Sequence, residues 1–156
     1  MGKALVRRLG ADQVIDYTRE HVRDVLQHYD GAFDLIGGDD LLDAFTILKP
    51  GAKVVSVAGV PEPATARKDL DAGPMLTALF WMASTKLRRQ ARKHDVIYRY
   101  LFMHPSGDDL TTLARLVDER AVEVITDRVF PFDRIADAFV YLEQGRAKGK
   151  VVVQMV

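Results

Sequence analysis

The stretch that decides the fold is FDLIGGDDLLDAFTILKPGAKVVSVAG, residues 33–59. It begins with a short apolar run, Phe33–Ile36, which predicts a β-strand, and a pair of glycines follows directly. Leu41–Leu48 then carries apolar residues at helical spacing and stops at a Pro-Gly pair, before a second strand-like run at Lys53–Val57. A strand, a helix and a second strand in this order predict a βαβ unit with parallel strands.

The same alternation of patterns extends along the whole chain. Helical patterns separate four further β-rich runs, which are Gln13–Asp16, Val96–Phe102, Val124–Phe130 and Lys150–Val156. Several of the predicted strands are apolar without alternation, as is typical of strands covered on both faces of a parallel sheet. We therefore predict one α/β domain that spans residues 1–156, with right-handed crossovers between its strands.

One segment interrupts this rhythm. Pro61–Gly73 predicts a long surface loop, and Pro74–Lys93 predicts a single long helix that is apolar early and basic late. The four cations near its end are Arg88, Arg89, Arg92 and Lys93. They suit either a nucleic-acid or membrane patch, or a solvated helix end where cations complement the helix dipole, and we favour the second interpretation.

Composition argues against several classes of function. The chain has 22 Lys plus Arg and 22 Asp plus Glu, so its net charge is zero and a nucleic-acid partner is not expected. It has no cysteine, which removes thiolate nucleophiles and cysteine zinc sites, and its four histidines are too scattered to predict a metal site. Because no signal peptide and no apolar run near 18 residues is found, we expect a cytoplasmic protein without a membrane partner.

Five segments resemble, in the correct order, the cofactor domain of the medium-chain dehydrogenases and reductases. They are Leu9–Tyr17, Phe33–Gly38, Leu48–Gly59, Phe130–Phe139 and Gly145–Val152. Tyr98–Met103, the Ser106-Gly107 pair and the long Met75–Lys93 segment are similar to one branch of that superfamily, the zinc-free quinone oxidoreductases related to zeta-crystallin and to the reticulon-interacting quinone reductase. The resemblance implies NADPH as the cofactor and quinones or activated enones as the substrates.

The resemblance also implies a partial Rossmann-like fold, doubly wound and mostly parallel, that lacks its first two strands. The chain contains no G-x-G-x-x-G turn, which in this fold holds the cofactor pyrophosphate. The resemblance further implies that the catalytic domain of the family is not part of this sequence. We therefore expect weak cofactor affinity and assign no catalytic residue.

The missing strands are central in the usual strand order, so Gln13–Asp16 would lack a neighbour and Phe33–Ile36 would have an open edge. We predict that Gln13–Asp16 closes directly onto Phe33–Ile36, or that two copies associate to cover the gap. The Val96–Phe102 strand resembles the strand that pairs between subunits in full-length relatives. A homo-oligomer is therefore expected through Val96–Phe102 or through the open sheet edge.

Nine residues are candidates for cofactor binding: Tyr17, Gly37, Gly38, Gly59, Val60, Phe102, Met103, Arg146 and Lys148. The glycines and Val60 follow strands, where ligands of open α/β sheets bind and where a missing Cβ permits close approach, although Gly37-Gly38 is equally typical of an ordinary tight turn. By resemblance, Tyr17 lies beside the adenosine phosphate, Phe102 and Met103 lie near the nicotinamide, and Arg146 and Lys148 pair with a phosphate. The alternatives are a strand-end aromatic, core side chains and solvated loop charges, and the last is the ordinary state of Arg and Lys.

Two functions are consistent with these observations. The first is the residual part of an NADPH-dependent quinone or enone reductase, and the second is a non-catalytic association module with the helix around Trp81 as its contact surface.

Overall fold

The computed structural model describes residues 2–155, and it divides the chain into two compact units. The larger unit is Lys3–His104, and the smaller unit begins at Pro105. Each contains a parallel sheet of its own. The α/β class with parallel strands is confirmed, whereas one domain over the whole chain stays a prediction.

The sheet of the larger unit has three parallel strands in the order β1-β2-β3. The strands are β1 (Tyr29–Asp34), β2 (Leu48–Ser56) and β3 (Ile97–Tyr100). The helices of this unit are α1 (Gly2–Arg8), α2 (Val22–Val25), α3 (Gly38–Thr46), α4 (Pro63–Lys68), α5 (Pro74–Ala83) and α6 (Thr85–Lys93). Asp34 pairs with Ser56 and Ser56 with Tyr100, so the carboxyl ends of all three strands lie at one edge.

The core of this unit lies between α3 and one face of the sheet. Leu41 and Phe45, four residues apart on α3, are almost fully buried together with Val54 and Tyr98 from the strands. The Phe45 and Tyr98 rings meet edge to face with their centroids 6.1 Å apart. Each such large apolar side chain contributes about 1.5–3 kcal/mol by leaving water, so α3 is held firmly against this face of the sheet.

The smaller unit is one βαβ arrangement preceded by a helix. Its elements are α7 (Gly107–Asp118), β4 (Thr126–Pro131), a 3-10 turn (Phe132–Arg134), α8 (Ile135–Glu143) and β5 (Lys150–Gln154). The strands β4 and β5 are parallel. Phe130 on β4 and Ala138 on α8 are buried, whereas Ile135, Phe139 and Leu142, the other apolar residues of the predicted helix, are 38%, 61% and 46% exposed.

The strand predicted at Gln13–Asp16 is wrong. No regular structure forms there, and the Asp16 carboxylate instead accepts hydrogen bonds from the backbone amide and hydroxyl of Thr18, at 3.2 and 2.6 Å, which turns the chain. Within residues 2–155, β1 pairs with β2 alone and leaves its other edge open. An isolated strand leaves its N–H and C=O groups unpaired, so without an adjacent strand this segment turns instead.

Two helix predictions also need correction. The predicted loop Pro61–Gly73 contains α4, because the Glu62 side chain accepts from the backbone amides of Ala64 and Thr65 and Pro63 occupies the first turn. The predicted long helix is interrupted at Ser84, whose ψ of 2° is not helical and which separates α5 from α6.

None of the helices in residues 2–155 combines the length and the apolar character needed to cross a bilayer.

Candidate functional site

Two loops meet at the carboxyl edge of the three-stranded sheet. The Gly37 loop (residues 35–37) follows β1, and the Gly59 loop (residues 57–60) follows β2. They are neighbours because β1 and β2 are parallel and adjacent, with Asp34 opposite Ser56 where the strands end. Open parallel sheets bind their ligands at this edge, so the position suits a binding site.

The Asp34 carboxylate fixes the backbone of the Gly37 loop. Its side chain is buried, and Oδ1 accepts hydrogen bonds from the backbone amides of Ile36 at 3.1 Å and Gly37 at 2.9 Å. Its other oxygen accepts a hydrogen bond of 2.5 Å from the hydroxyl of Ser56 on β2. One carboxylate therefore satisfies the turn after its own strand and connects it to the neighbouring strand.

Ser56 holds the Gly59 loop in the same way. Its side chain is fully buried, and Oγ accepts from the backbone amides of Ala58 at 3.2 Å and Gly59 at 2.7 Å while it donates to Asp34. The buried Asp34–Ser56 pair thus captures four backbone amides from two loops.

Tyr98 reaches the same loop from β3. Its phenol hydroxyl donates to the carbonyl oxygen of Val60 at 2.8 Å and also contacts the hydroxyl of Ser56. Burial raises the pKa of Tyr98 to about 12, and the negative charges of Asp34 and Glu62 add to the rise. The phenol is therefore a neutral hydrogen-bond donor at physiological pH.

The glycines of the two loops are required by close packing. Gly37 has φ of +77°, and a Cβ at this position would lie 2.7 Å from the carbonyl oxygen of Ala58. A Cβ at Gly59 would collide with the Tyr98 hydroxyl and would lie 2.8 Å from Ser56 Oγ. Gly38 differs, because its φ is +61° but no atom lies within 4 Å of its Cβ position. Its backbone is accessible to a ligand.

The predicted Tyr17 lies beside the open edge of β1. Its side chain is exposed, and it lines a cleft of about 680 Å³ whose other walls include Phe33, Leu35, Ile36 and Asp40. This cleft follows the strand on the side where the sheet has no further pairing among the described residues.

Phe102 and Met103 follow β3 in an irregular segment. Phe102 is half-exposed and its ring lies 6.4 Å from that of Tyr100, whereas Met103 is exposed. Neither is a core side chain, so the alternative of core packing is not what the structure shows for them. Arg146 and Lys148 are exposed between α8 and β5 of the smaller unit.

Sequence reasoning missed Asp34, Ser56 and Tyr98. A signal was present, because Asp34 interrupts the predicted strand Phe33–Ile36 and Ser56 interrupts the apolar run Val54–Val57. A polar residue in a strand covered on one face needs a buried partner. However, Asp34 and Ser56 are 22 positions apart and Ser56 and Tyr98 are 42 apart. No spacing rule predicts that such distant residues meet before the strand order is known.

The chain has no cysteine, and the part that the structure describes contains no group of three His, Asp or Glu residues able to hold a metal ion.

Comparison with known proteins identifies relatives of this chain. The family model described as zinc-binding dehydrogenase matches residues 9–153. The chain is 38% identical to the mitochondrial NAD(P)H oxidoreductase RTN4IP1 of Danio rerio over 97% of its own length and 40% of that protein. It is 36% identical to the chloroplastic NADPH-dependent alkenal/one oxidoreductase of Arabidopsis thaliana over 96% of its own length and 30% of that protein.

A solved structure shares the fold. The quinone oxidoreductase from Coxiella burnetii superimposes on 98% of this chain and 42% of its own with a TM-score of 0.74, at 23% identity. The chain therefore spans well under half of the relatives it matches. The predicted Rossmann-like fold is confirmed, while cytoplasmic location stays a prediction, since both curated relatives are named for organelles.

Proposed function

Because this chain belongs to the zinc-binding dehydrogenase family, we propose that it forms the C-terminal portion of the cofactor domain of an NADPH-dependent oxidoreductase of quinones or activated enones. The observation that carries the proposal is the pair of glycine loops fixed side by side at the carboxyl edge of a parallel sheet by Asp34, Ser56 and Tyr98. The names of the relatives, NAD(P)H oxidoreductase and alkenal/one oxidoreductase, support this class of reaction.

The chemistry of the loops suits the nicotinamide riboside end of the cofactor rather than its pyrophosphate. Asp39 and Asp40 lie in the first turn of α3, where their charges oppose a phosphate anion. Carboxylates and backbone carbonyls accept hydrogen bonds from ribose hydroxyls and from a carboxamide N–H group. Gly38, Gly59 and Val60 would present this backbone, and the bound cofactor would supply the hydride.

The chain contains no G-x-G-x-x-G turn, so backbone amides for the pyrophosphate are not provided by that motif. Only part of the usual contact set is present. We accordingly propose weak binding of NADPH and no turnover by this chain alone.

A titration with NADPH tests the proposal. We expect calorimetry or the fluorescence of Trp81 to report weak binding, in the upper micromolar range. Gly38→Asn should weaken it at least tenfold, because asparagine tolerates a positive φ and its side chain would fill the open space above the backbone. Gly51→Asn is the matched control, since Gly51 also has a positive φ of +78° and open space at its Cβ position.

Gly51 lies five residues before Ser56 on β2, roughly 15 Å along the strand, so its substitution should leave affinity within about twofold of wild type. Absence of binding at millimolar NADPH, or equal weakening by both substitutions, would contradict the proposal.

A second candidate function is association without catalysis. The open edge of β1 and the loop that follows it favour this function, because Phe33 on the strand and Leu35 and Ile36 in the Gly37 loop are 61%, 60% and 74% exposed. Exposed apolar groups at an unpaired edge are typical of surfaces that pair with another chain. A chain that binds no NADPH but forms a defined oligomer would support this function over the first.

A further inference from the structure

We propose that Tyr98 and Ser56 are positioning residues that hold the Gly37 and Gly59 loops in the one arrangement that receives the nicotinamide end of the cofactor. This inference rests on the proposed function for its ligand. Neither side chain needs to touch the cofactor, because both act on the loop backbone from the interior side of the sheet.

Glycine loops require external support of this kind. Gly37 and Gly38 have no side chains to pack, and their positive φ values are only one of several conformations open to glycine. A ligand that contacts backbone atoms meets them in a productive direction only if neighbouring groups fix the backbone. The four amides captured by Asp34 and Ser56 meet that need for both loops together.

Tyr98 completes the support at Val60, the end of the Gly59 loop that neither Asp34 nor Ser56 contacts by a hydrogen bond. Its ring is fixed against Phe45 in the core, and its hydroxyl meets the Val60 carbonyl at 2.8 Å. The direction of the peptide after Val60 is therefore set by a side chain from a different strand. The same hydroxyl lies so close to Gly59 that a Cβ at that position would collide with it, which is why the loop requires glycine there.

This arrangement is better explained by positioning than by stability alone. A buried polar network contributes little net stability compared with apolar packing, but its hydrogen bonds permit only one geometry. Phenylalanine at position 98 would keep the contact with Phe45 and avoid burying a hydroxyl. What it would lose is the hydrogen bond to Val60 and the contact with the Ser56 hydroxyl.

The test compares Tyr98→Phe and Ser56→Ala with the matched control Tyr100→Phe in the full chain. Tyr100 is on the same strand and is half-buried with its ring near that of Phe102, but among the described residues its hydroxyl makes no hydrogen bond to either loop. Two measurements are made on each protein: the Kd for NADPH, and, without cofactor, the hydrogen exchange of the loop amides, namely Ile36 and Gly37 in the Gly37 loop and Ala58, Gly59 and Val60 in the Gly59 loop. Exchange of core amides in α3 and β2 reports global stability.

We expect Tyr98→Phe to raise the Kd about tenfold, the effect of one hydrogen bond, and to accelerate exchange in the Gly59 loop with core amides unchanged. Ser56→Ala should accelerate exchange in both loops, and Tyr100→Phe should change neither measurement. Loop exchange and Kd at wild-type values in Tyr98→Phe would overturn the inference. If the wild-type chain binds no NADPH, the proposed function fails, whereas unchanged loop exchange in both variants would separately refute the positioning role.

Discussion

At the scale of single residues, the ionisation of the Tyr98 phenol links the stability of the folded state to pH. Its pKa is raised to about 12 because burial and the nearby carboxylates of Asp34 and Glu62 disfavour the phenolate. A pKa above the unfolded value of about 10 means that Tyr98 stabilises the folded state fully below pH 10 and loses that contribution as the pH rises toward 12.

The prediction is a pH-dependent difference between wild type and Tyr98→Phe. Between about pH 9 and about pH 11.5, the free energy of unfolding of the wild type should fall by about 2 kcal/mol more than that of the variant. Urea denaturation at several pH values measures it, and the variant corrects for the lysines and other tyrosines that titrate in the same range. A difference that stays constant with pH would show that the Tyr98 phenol is not held in its neutral form.

Residue types alone predicted part of the site. Gly37 and Gly59 were predicted because glycines after strands are visible in the sequence, and the structure places them against each other. Asp34 and Ser56 were not predicted, since their role depends on the alignment of β1 with β2, which no local pattern encodes. Tyr98 depends in addition on β3 being the next strand in the sheet.

At the scale of elements, α4 is held by an acidic cap that also forms an ion pair. The Glu62 side chain is 5% exposed, caps the first turn of α4 and accepts a hydrogen bond of 2.7 Å from Arg99 on β3. Thr65 of α4 donates to the carbonyl oxygen of Tyr100, which adds a second connection between the same helix and strand. The chain after the Gly59 loop is thereby attached to the sheet.

We predict that Glu62→Ala lowers the free energy of unfolding by about 2–3 kcal/mol, because it leaves helix amides and a half-buried guanidinium without their acceptor. Asp30→Ala is the control, since the Asp30–Lys49 pair is exposed and its loss should cost less than about 0.5 kcal/mol. Equal effects in chemical denaturation would show that the Glu62 contacts contribute no more than a surface pair.

The elements that the sequence predicted well are those with strong apolar spacing, such as α3 and β5. Errors occurred where a distant neighbour decides the outcome. Gln13–Asp16 has strand-like residues but no adjacent strand in the described chain, and the apolar run at Leu35 and Ile36 lies beyond the end of β1, which begins at the more polar Tyr29. Ser84 interrupts a helical pattern that spacing alone predicts to be continuous.

At the scale of the whole molecule, the two edges of the three-stranded sheet are the surfaces proposed for association. They are β1, with Phe33 61% exposed, and β3, with Ile97 48% exposed. Both were expected from the sequence as contact strands, and both lack a second pairing strand within residues 2–155.

We predict a dimer in light scattering at micromolar concentration, with twice the chain mass of 17.5 kDa. Phe33→Lys should dissociate it if β1 mediates the contact, because a charge on an exposed edge strand opposes pairing. Ile97→Lys tests β3 in the same way. A wild-type monomer would refute the prediction, and a dimer that survives both substitutions would place the contact elsewhere.

The hydrogen bonds that Asp34 and Ser56 accept from four loop amides have a consequence for engineering the protein. Three side chains in the same loops are exposed and take no part in those hydrogen bonds: Leu35, Ile36 and Val57. A library of substitutions at these three positions can therefore vary the shape and polarity of the exposed loop surface while the loop backbone keeps its conformation. The ligand selectivity of the site and the backbone conformation of its loops could then be changed separately.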